Sequence, residues 1–424
     1  MREMKDSGVD YIGHIPANWN VLRNKNAFIC AKKIVGEQSS TTQLLSLTTR
    51  GVKEKDINNA EGKLPESFDT YQFVDKNDLV MCLFDLDVSA VFSGISHYKG
   101  MISPAYKVLS CNKNMNPQYA DYWFQYISHG RKFNHYAKNI RFTLNIDEFQ
   151  ALPMIFPPLD EQGRIADYLD TKCSKIDEII AKQEQIIEKL KEYKLSVITE
   201  AVTKGLDLNV DMKYSGISFI GDIPANWLMC KFKHLANEIG DGLHGTPEYD
   251  PTGEYYFLNG QNIGGDNLVF NDKTDRLNAE EFVKYKDIHL SENTIFITLN
   301  GATYGKTSFY NGEKVLLGKS AGYITLRDGE NKKYIRYYLQ SVVAKIIMEL
   351  SLCGSTIANL SLATLNGFLI PLPGKEEQIK IVEYLDKKCR LIDKMISERD
   401  ALIEKLQDYK KSLIYEVVTG KKEV

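Results

Sequence analysis

At 424 residues the chain is longer than one hydrophobic core usually serves, and 43% apolar with 11% aromatic residues is an ordinary globular composition, so two to four structural units are expected. No apolar run approaches the ~18 residues of a membrane span, and the opening MREMKDSG has no apolar signal core, which points to a soluble, cytoplasmic protein with no membrane partner. Seven cysteines without a CxxC or a Cys/His cluster argue against a disulfide framework and a zinc site, and a formal charge of -3 is not that of a freestanding DNA-binding domain.

In chain order, SGVDYIGHIPANW (Ser7 to Trp19) comes first, followed by a mixed segment. Within it TQLLSLTT, NDLVMCLF and PAYKVL read as strands and Pro117 to about Ser128 as a helix. From Glu161 apolar residues fall at Leu169, Cys173, Ile176, Ile180, Ile187, Leu190 and Val197, a heptad seam about 40 residues long with Pro157 and Pro158 before it and Gly205 after it. Then the order repeats. SGISFIGDIPANW (Ser215 to Trp227) lies 208 residues beyond its first copy, and a second mixed segment follows with predicted strands YYFLNGQNI, NTIFITLNG and AGYITL and one amphipathic helix over Asn331 to Leu350. The closing seam runs through Leu385, Cys389, Ile392, Ile396, Ile403, Leu406 and Leu413. So long a period is a duplicated module and not a solenoid, whose repeats run to roughly 20–50 residues.

The narrow seams predict that the two helices pair, each a rod of roughly 60 Å at 1.5 Å per residue. Each begins where its own mixed segment ends, so pairing is expected to be antiparallel. Polar residues interrupt both seams at matching places, Gln183 with Arg399 and Lys194 with Lys410, as register-fixing positions do. Cys173 and Cys389 match as small core residues. The mixed segments have diverged almost beyond alignment, although Tyr119 with Tyr334 and Gln125 with Gln340 align their helices. Constant ends around divergent inserts suggest one shared assembly surface and two recognition surfaces.

The polar, glycine-rich loops of these segments carry the groups that read base edges, amides toward adenine and Lys or Arg toward guanine. In the first segment they are Thr49, Arg50, Lys53, Lys99 and the basic run Arg131, Lys132, His135, Lys138 and Arg141. In the second they are His244, Thr246, Asn259, Gln261, Asn262, Asn300, Thr303, Tyr304, Lys306, Ser355 and Asn359. The first segment holds 16 basic and 13 acidic residues and the second 14 and 16, so tight DNA binding would need a partner that supplies more phosphate contacts.

Two motifs fail. GATYGKT at Gly301 is one residue short of a phosphate-binding loop and is followed by a turn instead of a helix. NPQY at Asn116 approximates a methyltransferase signature but opens an aromatic helix with Pro in its first turn and follows no glycine-rich cofactor loop. No catalytic residues, cofactor or metal are expected, and the chain is read as non-enzymatic.

IPANW near each repeat start, strand-rich variable segments, and a close of proline, EQ, then a long helix with IEKL and YK together resemble the specificity subunit of type I restriction-modification systems, over almost the whole chain. LNGQNI and GATYG are similar to recurrent loops of that family, which the first segment matches poorly. The resemblance implies a mixed α/β (α+β) fold with pseudo-twofold internal duplication, in which two similar target recognition domains, 1–157 and 207–373, are separated by two long antiparallel coiled-coil helices, 158–206 and 374–424. It implies that each domain reads one half of a bipartite, asymmetric site on double-stranded DNA, that the helices set the spacer, that the constant regions hold two DNA methyltransferase subunits, and that a restriction and translocase subunit joins. A DNA-binding regulator acting alone and a protein-binding scaffold are the alternatives.

Overall fold

The computed structural model describes residues 2–30, 32–49, 51–56, 65–86, 92–129, 132–133, 143–207, 209–285, 288–301, 303–352 and 359–424. Contacts divide the chain into two compact units, one built from Met1–Gln183 with Asp400–Val424 and the other from Glu184–Arg399. Both follow one plan.

In the first unit the hairpin Met4–Asp6 with His14–Pro16 leads to Trp19 and then to strand Asn20–Arg23. That strand pairs antiparallel with Pro153–Phe156, Asn20 opposite Phe156. The whole variable segment therefore leaves and returns on one two-stranded ribbon. Inside it an antiparallel sheet runs in the order Phe28–Ile29, Lys107–Cys111, Leu79–Met81, Ser93–Ile95, and helix Pro117–His129 covers it with the buried Tyr119, Trp123 and Phe124. In the second unit the hairpin is Met212–Tyr214 with Asp222–Pro224, the ribbon Leu228–Lys231 with Leu369–Leu372, and the sheet Ala236–Asp241, Ala321–Leu326, Thr294–Thr298, Thr307–Phe309. A further sheet, Arg276–Leu277, Tyr255–Leu258 and Val315–Leu317, has its last two strands parallel.

The long helices are Leu159–Lys204 and Lys375–Val418, and their seam residues Leu169, Cys173, Leu385 and Cys389 are buried. Within the first unit Lys410 pairs with Asp177 at 2.7 Å, and within the second Lys194 pairs with Asp393 at 2.7 Å. With Gly420 against Trp19, beside Glu161, and Gly205 beside Glu377, these contacts make the helix segments antiparallel in each unit. The expected fold class is borne out. The partly exposed ion pairs are each worth under about 1 kcal/mol, so they bear on register more than on strength.

The constant IPANW turns are not primarily surface. Trp19 and Trp227 are fully buried, and each indole donates to the first-turn glutamate of the helix that follows its variable segment, Trp19 Nε1 to Glu161 at 2.9 Å and Trp227 Nε1 to Glu377 at 3.0 Å. Gln162 and Gln378 donate to the carbonyls of Pro157 and Pro373, both at 2.9 Å, and fix the two helix starts alike. Burial raises the Glu161 carboxyl, but hydrogen bonds from Arg2 and Trp19 outweigh it and hold the group below its ordinary value.

Two predicted elements are broken. The helix expected over Asn331 to Leu350 is two, Lys332–Gln340 and Val342–Ser351, because Ser341 is extended (φ -69°, ψ 157°) and caps the second by accepting from Ala344 N, while Thr199 Oγ1 takes the Val342 N–H. The strand expected through Ile263 stops at Leu258, since Asn259 and Asn262 close a reciprocal cap around a 3-10 turn at Gly260–Asn262.

Candidate nucleic-acid interface

Several candidate residues of the second unit lie on turns tied to its strands. The turn after Asp241 is tied down where Leu243 N donates to Leu317 O at 2.7 Å, and Gly242 passes so close that a Cβ there would stand 2.3 Å from the Leu317 carbonyl carbon, which excludes every other residue. Asn259 and Gly260 are held by Ser320, whose hydroxyl accepts from Gly260 N at 2.8 Å. Asn300 bridges to Asn359, and Gly305, at φ +78°, seats the Thr303–Lys306 turn against Met348. Of the candidates here, His244, Thr246, Gln261, Lys306 and Asn359 are exposed and Asn259, Asn300, Thr303 and Tyr304 partly so. Ala302 and Ser355 lie outside the described residues.

Asn262 is a correction. It is 2% exposed, accepts from Asn259 N at 2.9 Å and donates to Val269 O at 3.0 Å, so both ends of its amide are used inside the loop and it shapes the turn that presents Gln261.

In the first unit Thr49 and Lys53 are exposed on the hairpin Leu45–Thr48 with Gly51–Glu54, and Lys99 is exposed with Asp75 at 3.7 Å. Arg50, Arg131, His135, Lys138 and Arg141 lie outside the described residues. Lys132 sits over the Tyr126 ring, 4.6 Å from its centroid, and Tyr126 stacks on Tyr415 of the C-terminal helix. Burial lowers the Lys132 ammonium, so this cation belongs to the aromatic frame as much as to a loop.

The arrangement presents amides, hydroxyls and a few cations on braced loops, with no grouping of His, Cys, Asp or Glu suited to a metal among the described residues. It can read hydrogen-bond patterns. Sequence reasoning missed the residues that hold these loops, Ser308, Ser320, Asp121 and Arg336; the signal available was that Asp121 and Arg336 each follow an aligned tyrosine by two positions.

Asp121 carries a pH signature. Burial pushes its carboxyl up to about 6, against hydrogen bonds from Gln125 and Ile95 N that favour the charged form. A native value above the unfolded one stabilises at low pH, and that contribution is lost as pH rises through about 6. Asp121→Asn is therefore expected to gain on the wild type by about 1–3 kcal/mol between pH 4 and pH 8, read from urea melts at both values.

Residues 247–405 match the family model for the type I restriction modification DNA specificity domain. The chain is 25% identical over 362 residues to the type I restriction enzyme MjaVIII specificity subunit of Methanocaldococcus jannaschii, covering 82% of this chain and 80% of that one. The chain is thus similar over most of its length to type I restriction-modification specificity subunits. It is also 23% identical to the type I restriction enzyme EcoBI specificity subunit of Escherichia coli, over 62% of its own length and 57% of the relative's. Its fold matches a chain of a type I R-M system solved for its complex assembly and conformational transition, with a TM-score of 0.70 at 14% identity over 96% of this chain and 99% of that one.

Proposed function

We propose that this chain selects the DNA sequence for a type I restriction-modification complex, with 1–157 and 207–373 as target recognition domains that each read one half of a bipartite, asymmetric site. The helical regions, 158–206 and 374–424, set the spacer and dock two DNA methyltransferase subunits, and a restriction and translocase subunit completes the assembly in the cytoplasm. The proposed contacts are the exposed and partly exposed candidates of both units, without Asn262. The observation that carries the reading is the repeated frame, since the same tryptophan and glutamate contact and the same ribbon close off two segments whose loops share almost no sequence.

The ribbon makes the test direct. Asn20 and Met154 lie on its paired strands, so replacing Asn20–Met154 by the matching segment of another specificity subunit exchanges one closed insert. The methylated motif of the host genome, read by sequencing that reports methyladenine, is expected to change in one half only. A change in both halves, in soluble protein, would sink the modular reading.

A further inference from the structure

We propose that Asp121 and Arg336, at the same place on the covering helices of the two units, are positioning residues, each bracing the edge strand against which its unit's recognition loop rests. This depends on the reading of the variable segments as DNA readers.

The equivalence is geometric as well as sequential. Two residues earlier, Tyr119 donates to Ile155 O at 3.3 Å and Tyr334 to Pro371 O at 2.7 Å, matching points on the two ribbons. Asp121 and Arg336 then reach the edge strand of the four-stranded sheet, Ser93–Ile95 in one unit and Thr307–Phe309 in the other. Asp121 accepts from Ile95 N at 3.1 Å and from Gln125 Nε2 at 2.8 Å. In that strand Gly94 is pressed against the loop hairpin, where a Cβ would stand 3.0 Å from Gly51 Cα, and the hairpin carries Thr49 and Lys53.

Arg336 is buried, with its guanidinium 4.6 Å from the Phe309 ring centre, and donates to Thr307 Oγ1 at 3.2 Å, to the Gly265 carbonyl and to Asp266. The same strand holds the loop twice more, Ser308 Oγ accepting from Gly264 N at 2.9 Å and Phe309 N donating to Asp266 O at 3.0 Å. Lys306 lies along Gly264, its Cδ 3.7 Å from where a Cβ would be. The two braces have opposite charge and one task. A carboxylate suits a strand that offers an N–H, and a fork of donors suits a loop that offers a carbonyl, a hydroxyl and a carboxylate. A residue needed only to fill the core would be apolar at both places.

The test places single variants in the host chromosome and reads methyladenine across the genome. Arg336→Lys keeps a cation but not the fork, and Asp121→Leu removes the acceptor. Each is expected to raise methylation about tenfold at sites with one mismatch in its own half, the two halves being different ones, while the other half stays strict. Asp121→Asn, which keeps the acceptor for Ile95 N, should retain wild-type specificity. Asp266→Ala, at an exposed position that takes away one of the Arg336 fork's partners, should relax the Arg336 half to a smaller degree. The proposal is overturned if neither half relaxes, or if both relax alike or methylation simply falls with the amount of soluble protein. A wild-type strain without a two-part motif would instead remove the DNA-reading assignment underneath it.

Discussion

Four residues inserted between Gln183 and Glu184 lengthen the gap between the two halves of the methylated site by one or two base pairs and leave both halves unchanged. One helical turn adds about 6 Å of rise against about 3.4 Å per base pair. The site lies in the stretch of helix Leu159–Lys204 where the chain passes from one unit to the other, away from the buried seam ends at Leu169 and Val197. A four-residue insertion is also the one that a heptad seam absorbs by local unwinding. The motif sequencing used for the segment exchange reads the result. An altered half-site with a fixed spacer would show that the helices do not measure distance.

Trp19→Ala is expected to destabilise the first unit by about 3–5 kcal/mol, the range for deleting a fully buried large aromatic side chain. The indole does more than fill space, because its Nε1–H satisfies Glu161, and the variant leaves that carboxylate with Arg2 as its remaining partner. Gly420→Val should approach the same loss from the other side. Gly420 is at φ +71°, and a Cβ there would stand 2.4 Å from Pro16 Cγ and 2.9 Å from the Trp19 ring. Urea melts followed by the fluorescence of the remaining tryptophans measure both. A shift below about 1 kcal/mol in either variant would show that the junction of turn, helix start and helix end does not hold the unit together.

The helices were legible because a heptad seam is a long signal repeated in two copies, and the helix at Pro117 was legible from its aromatic face. Breaks set by single hydrogen bonds were not. Ser341 interrupts an apolar period that continues unbroken through Val342 and Val343, and nothing local says that Thr199 will take the next N–H. The loops show the same limit more sharply. Gln261 and Asn262 are adjacent primary amides of equal standing in the sequence, yet one is exposed and the other spends both ends on its own turn. Lys132 reads as one of a basic run, but the ring beneath it and Tyr415 come from elements far apart in sequence. The braces Asp121 and Arg336 had only their matching places after the aligned tyrosines to mark them, because their strand partners are set by the sheet and a charged helix residue ordinarily means a solvated one.

The two units differ in how the chain supplies them. Glu184–Arg399 is uninterrupted, whereas the first unit needs Leu413, Ile414, Val417 and Val418 from the far side of the second to close the core around Trp19 and Leu169. As the chain leaves the ribosome, the second unit has all its residues before those four exist. The first therefore waits, with aromatic surface open, through the synthesis of more than two hundred further residues, which at 5–20 residues per second is roughly 10–40 s. The earlier part of the protein is finished last, and a chain halted between Arg399 and Leu413 has the second unit complete and the first an exposed, aggregation-prone half.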